Sequence, residues 1–171
     1  HSGIVKLAGN TLVGGKPFII KLTTATTQSR DKTHRFVIDS VEHALSLGAV
    51  GVSMNLFVGS FHEAQLFEQF SQAVQVCDRF GIPMLAMAHP MPEKQYDTDL
   101  QAYACRVAAE LGADIVKTDY PGSPEAFQRI SAHCPVPVLV EESPYAEDQA
   151  GSLQTAREAM QAGGSGVLFG R

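Results

Sequence analysis

Long apolar runs, basic clusters and closely spaced cysteines are all missing from this sequence. No apolar stretch approaches the length of a membrane span and no signal peptide opens the chain, so we expect no membrane segment. The formal net charge is -5 and the sequence has no run of lysines and arginines, so it does not predict the basic surface that binds nucleic acid. Cys77, Cys105 and Cys134 form no Cys-x-x-Cys pair, which predicts three reduced thiols in a cytoplasmic protein. The histidines show no zinc-type spacing, so we predict neither a metal nor another cofactor.

What the sequence does contain is a repeated alternation of strand-like and helix-like segments. Six aliphatic or β-branched segments are predicted to be parallel strands covered on both faces: Phe18–Leu22, Ala49–Asn55, Pro83–Ala88, Asp114–Thr118, Pro137–Glu141 and Ser165–Gly170. Ile4–Leu7 is a possible seventh strand. The helices between them are predicted at residues 36–47, 61–80, 97–111, 123–132 and 147–162.

Glycines and short polar residues mark the ends of these helices. Gly48, Gly112 and Gly163 each stand just before a strand, where glycine adopts the left-handed conformation that ends many helices. The candidate N-caps are Asp97, Ser123 and either Ser143 or Asp148. Each strand with its following helix therefore forms one βα unit, since a parallel crossover needs a helix's length of chain.

Two folds repeat this unit, the doubly wound sheet and the closed barrel. The Gly-x-Gly-x-x-Gly turn of dinucleotide-binding sheets is missing. Polar residues instead follow most strands, as at the mouth of a barrel: Lys21, Thr23, Asn55, His89, Lys117, Asp119, Glu141, Glu142 and Arg171. We therefore predict an α/β fold, a TIM (β/α)₈ barrel, in a single domain over residues 1–171. Because a whole barrel needs roughly 250 residues, we expect this chain to lack the first unit or units and the last helix.

Lys117 is the most informative single residue, because it lies inside an apolar strand. Lysine is almost never buried without a partner or a function. Burial and nearby cations favour the neutral amine, which can attack a carbonyl and form an iminium that accepts electrons from a neighbouring C–C bond. The structural alternative is a lysine that reaches the barrel mouth or pairs with Asp119.

The segment 108–139, AAELGADIVKTDYPGSPEAFQRISAHCPVPVL, resembles the Schiff-base region of a known family. That family is the DeoC/LacD class I aldolases, in the branch of archaeal-type fructose-bisphosphate aldolases and 2-amino-3,7-dideoxy-D-threo-hept-6-ulosonate synthases. HSGIVK, PMLAMAHP and GSGVLFGR resemble its second, fifth and eighth strands. The resemblance implies a Schiff base on Lys117, no metal, and a homo-oligomer. It also implies C–C bond formation or cleavage, including transaldolase-like exchange, beside the ketone of a sugar phosphate or related keto compound.

Several positions depart from the family pattern. His89 stands where the family has its proton-transfer tyrosine, and a histidine can carry out acid–base chemistry near neutral pH. Glu141 and Glu142 replace a Gly-Gly pair that approaches a phosphate, so Glu141 is either a barrier to phosphate or an acid–base group. Gly170 and Arg171 keep the other half of the phosphate site.

Lys21 stands where the family has a histidine in its third strand, and Asn55 and Phe57 stand where it has a histidine and an asparagine in its fourth. We expect Lys21 and Asn55 to bind substrate. Lys21 either lowers the pKa of Lys117 by charge repulsion or pairs with Glu141, and we favour the pair. A competing hypothesis is a catalytically degenerate barrel that binds a ligand and keeps Lys117 for structure. The sequence does not select the substrate or the direction of reaction.

Overall fold

The computed structural model describes residues 1–13, 15–141 and 148–169, and of residues 10–13 only the backbone. The described strands are β1 Ile19–Lys21, β2 Thr23–Thr24, β3 Phe36–Val37, β4 Gly51–Val58, β5 Met84–Pro90, β6 Ile115–Thr118, β7 Val138–Glu141 and β8 Gly166–Leu168. The described helices are α1 Ser2–Val13, α2 Val41–Ser46, α3 Glu63–Phe80, α4 Thr98–Glu110, α5 Pro124–His133 and α6 Gln149–Gln161, with a 3₁₀ turn at Pro92–Lys94.

Six of these strands form one parallel sheet in the order β1-β4-β5-β6-β7-β8. Each of them overlaps one of the six predicted strands, and helices separate them along the chain. Strands β4 and β5 continue to Val58 and Pro90, past the predicted ends at Asn55 and Ala88. The strands therefore follow one another in the sheet as in a (β/α) barrel, of which the described residues form a part. This confirms the predicted fold class. Within those residues β1 and β8 pair on one side only, so the sheet is open between them.

A short antiparallel ribbon interrupts the predicted helix 36–47. Thr23 pairs with Val37 and Thr24 with Phe36, which joins β2 to β3. The helix begins only at Val41, after Ser40 accepts a hydrogen bond from the backbone of His43. The first part of the helix prediction was therefore wrong, because the aromatic and β-branched residues at its start found a strand partner.

The strand predicted at Ile4–Leu7 was also wrong. These residues lie in α1, whose two halves meet at Gly9, with φ 51°. Ile4 is 58% and Leu7 86% exposed, and only Val5 of this segment packs against the core. A segment of four residues is too short for its periodicity to distinguish a strand from a helical turn.

The predicted helix ends agree with the structure. Gly48, Gly112 and Gly163 all have positive φ, and a Cβ at Gly112 would lie only 2.7 Å from Val74. The side chains of three residues cap helix N-termini by accepting backbone N–H groups: Asp97, Ser123 and Asp148. The alternative cap, Ser143, lies outside the described residues.

The core lies between the sheet and its helices. Strand β4 is buried along nearly its whole length, as expected of a central parallel strand. Cys77, Cys105 and Cys134 are buried and free, and burial raises the pKa of the Cys105 thiol to about 12. They serve as small apolar core residues. Among the described residues, every helix is too short or too polar to cross a membrane.

Candidate active site

The strand register brings Asn55, His89 and Lys117 to one end of the sheet. Met87 on β5 pairs with Asn55 on one side and with Lys117 on the other. Side chains alternate between the two faces of a strand, so residues two apart share a face. His89 therefore follows Met87, and Asp119 follows Lys117, toward the carboxyl ends of β5 and β6. That end of parallel strands is where barrels place their functional groups.

A cavity of about 420 Å³ opens at this end of the sheet. Twelve residues line it: Lys21, Lys32, Arg35, Asn55, Phe57, Met87, His89, Pro90, Pro92, Gln95, Asp119 and Glu141. Four of the seven predicted site residues are among them. A fifth, Lys117, is buried to 3% exposure and contacts the lining residue Glu141. Gly170 and Arg171, and with them Glu142, lie outside the described residues.

Lys117 pairs with Glu141. Its Nζ lies 2.8 Å from Oε1 of Glu141, whose side chain is 30% exposed toward the cavity. The favoured prediction that Lys21 pairs with Glu141 was wrong, because the Lys117 amine reaches that carboxylate from the adjacent strand. The alternative pairing of Lys117 with Asp119 is not formed either. The amine of Lys117 is thus in direct contact with a group that can accept a proton from it.

His89 and Asp119 form a second buried pair. Nδ1 of His89 lies 2.8 Å from Oδ2 of Asp119, and both side chains are at most 11% exposed. Burial acts to raise the pKa of Asp119, but the hydrogen bond and charge of His89, with weaker help from Gln95 and Lys117, hold it below its ordinary value. The Asp119 carboxylate therefore stays ionised and orients the His89 ring. The amide of Gln101 donates to the Asp119 carbonyl oxygen at 3.2 Å, which fixes the backbone there.

Cations gather on the opposite wall of the cavity, on β1 and the segment between β2 and β3. Burial lowers the pKa of Lys21, as do the neighbouring charges of Arg35 and Lys117, while Glu141 opposes the shift. Burial also lowers the pKa of Arg35. The Arg35 guanidinium lies 4.8 Å from the centre of the Phe57 ring, a cation–π contact. Phe57 in turn stacks on His89 with ring centres 5.4 Å apart.

Asn55 joins these two walls. Its side-chain oxygen accepts a hydrogen bond from Thr23 Oγ1 at 3.1 Å, and its backbone N–H donates to the same hydroxyl at 3.0 Å. The pair ties β4 to β2, at the base of the ribbon. Asn55 keeps its amide nitrogen for the cavity it lines.

One group among the described residues has the composition of a cation site. Donor atoms of His89, Asp119 and Glu141 all lie within 4.8 Å of one another. Asp119 and Glu141 are already engaged by His89 and Lys117, and the Lys117 ammonium would repel a cation beside Glu141. The prediction of a metal-free site stays a prediction.

Three charged residues of this site were not predicted from the sequence. Asp119 was noted at a strand end but was not assigned to the site, although its spacing of two from Lys117 indicates the same face. Lys32 and Arg35 were missed because they lie in an irregular segment, where no periodicity indicates which way a side chain points.

Comparisons with known proteins assign the chain to a family. The sequence profile described as DeoC/LacD family aldolase matches residues 1–171. The chain is 36% identical over 156 residues to the 2-amino-4,5-dihydroxy-6-oxo-7-(phosphonooxy)heptanoate synthase of Streptomyces griseus, covering 90% of the chain and 57% of that synthase. It is 37% identical over 160 residues to the 2-amino-3,7-dideoxy-D-threo-hept-6-ulosonate synthase of Halobacterium salinarum, covering 92% and 60%. The chain thus spans less than two thirds of these relatives.

Solved structures give the same result. An archaeal fructose 1,6-bisphosphate aldolase superposes with a TM-score of 0.90 at 31% identity, over 99% of this chain and 68% of that one. A second archaeal structure superposes with a TM-score of 0.90 at 30% identity, over 98% and 67%, and has its catalytic lysine covalently bound to the carbinolamine intermediate of the substrate. These neighbours share the barrel architecture that the described residues form in part.

Proposed function

Because the chain belongs to the DeoC/LacD family of aldolases, we propose that the protein is a class I aldolase that uses Lys117 as its Schiff-base nucleophile. It forms or cleaves a C–C bond beside the ketone of a sugar phosphate or a related keto compound. The compounds for which two similar synthases are named each contain a ketone, and one of them also contains a phosphonooxy group. A related aldolase holds a carbinolamine on its lysine.

The observation that carries the proposal is the contact between Lys117 and Glu141. A buried ammonium must lose its proton before the amine can attack a carbonyl. The carboxylate of Glu141, 2.8 Å from the Lys117 amine, is the group positioned to take that proton. It also faces the cavity, so it can return the proton to a bound substrate.

The first half of the reaction proceeds at this pair. The neutral Lys117 amine attacks the ketone carbon, and a proton passes from the attacking nitrogen to the carbonyl oxygen to give a neutral carbinolamine. Glu141, now protonated, donates its proton to the carbinolamine hydroxyl, which leaves as water and produces the iminium. The iminium then withdraws electrons from the adjacent C–C bond.

The second half needs a base for the hydroxyl on the carbon that will leave. His89 lines the cavity and is held by Asp119, so its other ring nitrogen is free to accept that proton. Loss of the proton forms the aldehyde product and breaks the C–C bond, which leaves an enamine on Lys117. Protonation of the enamine and addition of water release the second product. Aldol condensation and transaldolase-like exchange run through the same intermediates.

The remaining expectations belong to the same proposal. Gly170 and Arg171 bind a substrate phosphate, Asn55 binds a substrate oxygen, and no metal takes part. The enzyme acts on a small molecule in the cytoplasm, which three buried free thiols support because reducing conditions preserve them. It assembles as a homo-oligomer, as the resemblance to its family implies.

Borohydride trapping tests the proposal. The full-length protein is treated with sodium borohydride in the presence of dihydroxyacetone phosphate, fructose 1,6-bisphosphate or pyruvate, and adducts are located by peptide mass spectrometry. We expect a reduced adduct on Lys117 with at least one compound. Lys117→Met should give no adduct, while Lys94→Met, on the 3₁₀ turn, should be trapped like the original protein.

The outcomes separate the alternatives. An adduct on Lys117 establishes the iminium and narrows the substrate class. A folded protein that forms no adduct at Lys117 with any of the three contradicts the proposal and favours a barrel that only binds its ligand. Circular dichroism of each variant shows whether it is folded.

A further inference from the structure

The cationic wall of the cavity has more positive charge than the described residues neutralise. Lys21, Lys32 and Arg35 all line the cavity. The two carboxylates that share it, Asp119 and Glu141, are paired with His89 and Lys117. Lys21 and Arg35 are half-buried, and half-buried charges are costly unless they are paired, whereas Lys32 is exposed to solvent. Within the described residues, no carboxylate oxygen lies within 4.0 Å of these three cations.

The one carboxylate that raises the pKa of Arg35, Asp31, is itself occupied. Its Oδ1 accepts hydrogen bonds from the backbone and side chain of Thr33, and its Oδ2 lies 2.9 Å from Nε2 of His62. Asp31 therefore shapes the segment before β3 and does not bind Arg35. Lys32 donates to the carbonyl oxygen of Thr27, which leaves its charge without a counterion.

Arg35 is held in place despite lacking an ion pair. Its guanidinium lies over the Phe57 ring at 4.8 Å, and Nη1 donates to the His34 carbonyl oxygen at 3.3 Å. These contacts leave other N–H groups of the planar fork available to a ligand. Such a fork matches the oxygen pairs of a carboxylate or phosphate.

We propose that Lys21 and Arg35, with Lys32 beside them, bind an anionic group of the substrate, either a phosphate monoester or a carboxylate. This inference rests on the proposed function and specifies the substrate: its ketone lies at Lys117 and its anionic group lies toward β1 and the β2–β3 ribbon. The phosphate site expected at Gly170 and Arg171 is a separate proposal and is tested separately below.

The cavity supports this arrangement. Its volume of about 420 Å³ accommodates a small sugar phosphate or keto acid. Lys21 is near enough to Lys117 for the Lys117 charge to lower its pKa. An anion bound at Lys21 therefore lies close to the nucleophile.

The first experiment measures anion binding directly and does not depend on chemistry at Lys117. Inorganic phosphate and glycolate are titrated separately into the full-length protein by calorimetry, which distinguishes a phosphate site from a carboxylate site. We expect one of the two anions to bind. Lys21→Met and Arg35→Met should each weaken that binding roughly tenfold or more, because each removes one charge-assisted hydrogen bond. Arg106→Met is the matched control, because Arg106 is exposed and pairs with Glu110 on α4.

Two further variants test whether any loss of binding comes from misfolding or from a different anion site. Lys21→Arg keeps the charge and should retain most of the affinity, which a merely structural effect would not require. Arg171→Met reports on the expected site after β8. Loss of binding in Arg171→Met together with unchanged binding in Lys21→Met and Arg35→Met would overturn the inference, as would the failure of both anions to bind.

Trapping then links the anion site to the nucleophile. Borohydride trapping at Lys117 is compared between dihydroxyacetone phosphate and dihydroxyacetone, and between pyruvate and acetone. We expect the anionic member of one pair to be trapped at lower concentration, and Lys21→Met to remove that preference. Equal trapping of both members of both pairs contradicts the anion site but supports Lys117 as nucleophile. Anion binding without trapping contradicts the proposed function and leaves the anion site standing.

Discussion

The side of the cavity formed by β5, β6 and β7 differs from the side formed by β1 and the β2–β3 ribbon in how its charges are paired. On the acid–base side, which consists of His89, Lys117, Asp119 and Glu141, every charge contacts an opposite charge or a histidine ring within 2.8 Å. On the cationic side, which consists of Lys21, Lys32 and Arg35, no described carboxylate lies within ion-pair distance.

This difference indicates different roles. Paired groups are oriented before the substrate arrives, as acid–base catalysis requires, since the geometry need not be reorganised during the reaction. Unpaired cations gain most from an anionic ligand that enters the cavity. Changes on the acid–base side should therefore reduce kcat, whereas changes on the cationic side should raise KM or Kd with little effect on kcat.

The largest effect is expected from Lys117→Arg. The guanidinium keeps a positive charge beside Glu141 but cannot become a neutral nucleophile at any working pH. Turnover should fall by roughly 10⁴-fold or more, and borohydride trapping should disappear. Steady-state kinetics on the compound that is trapped provide the measurement. Turnover within tenfold of the original protein would show that Lys117 is not the nucleophile.

Asp119→Asn should have the next largest effect. The amide occupies the same space but removes the charge that orients and stabilises a protonated His89. We expect kcat to fall by roughly 10² to 10³-fold with little change in KM, the usual contribution of a positioned acid–base group. Asp99→Asn is the matched control, because Asp99 is exposed and pairs with Arg129 on the outside. An equal fall in both variants would mean a general loss of stability.

The Asp119 carboxylate should make the stability of the fold sensitive to acid. Its pKa is lower in the folded protein than in the unfolded chain. The stabilisation it contributes is therefore complete above its unfolded pKa and is lost as pH falls through the folded pKa. Asp119→Asn should flatten the decline of Tm at low pH. A decline as steep as that of the original protein would assign the acid sensitivity to other groups.

Glu141→Gln should produce a smaller change on the acid–base side. The amide still fits beside Lys117 but cannot take its proton, so water must serve in its place. We expect the rate of borohydride trapping to fall by roughly 10 to 100-fold. The amount of Lys117 adduct at the end of the reaction should be the same as in the original protein. The matched control is Glu110→Gln, on the exposed face of α4. An unchanged trapping rate would assign the proton transfer to another group.

Residues in regular strands could be assigned to the site from the sequence, and residues outside them could not. The period of two along a strand, with polar residues at strand ends, correctly gathered Lys117, His89, Glu141 and Asn55 around one cavity. Lys32 and Arg35 reach the same cavity from an irregular segment, which local pattern does not orient. Hydrogen bonds of Asp31 that span two or three residues place that segment.

Pairing between side chains was harder to predict than their proximity. Lys21 and Glu141 line one cavity and Lys117 lies against it, and sequence alone does not say which cation lies nearer the carboxylate. Strand register decides it: Lys117 lies on β6 beside β7, which carries Glu141, whereas Lys21 lies on β1, away from β7 in the sheet order. The favoured pairing failed because the order of strands across the sheet was not used.

The smallest predicted effect concerns Lys21 and pH on the cationic side. Its pKa lies below the ordinary 10.5 because of burial and the charges of Arg35 and Lys117. Above neutral pH the phosphate dianion no longer changes its charge, so affinity for phosphate should fall severalfold as pH rises through the folded pKa of Lys21. Calorimetric titrations at intervals between about pH 8 and pH 10.5 give the measurement.

Lys21→Met should abolish this pH dependence, because it removes the group that titrates.

Lys21→Met should also stabilise the ligand-free protein near neutral pH. The unfolded chain binds more protons at Lys21 than the folded protein does, so the cost of the buried charge is complete below the folded pKa and is relieved as pH rises toward 10.5. A gain in Tm that shrinks with rising pH would show that the cationic side is held in an unfavourable state until an anion binds. A loss of Tm in Lys21→Met would show instead that Lys21 already has a stabilising partner, and the contrast between the two sides of the cavity would not hold.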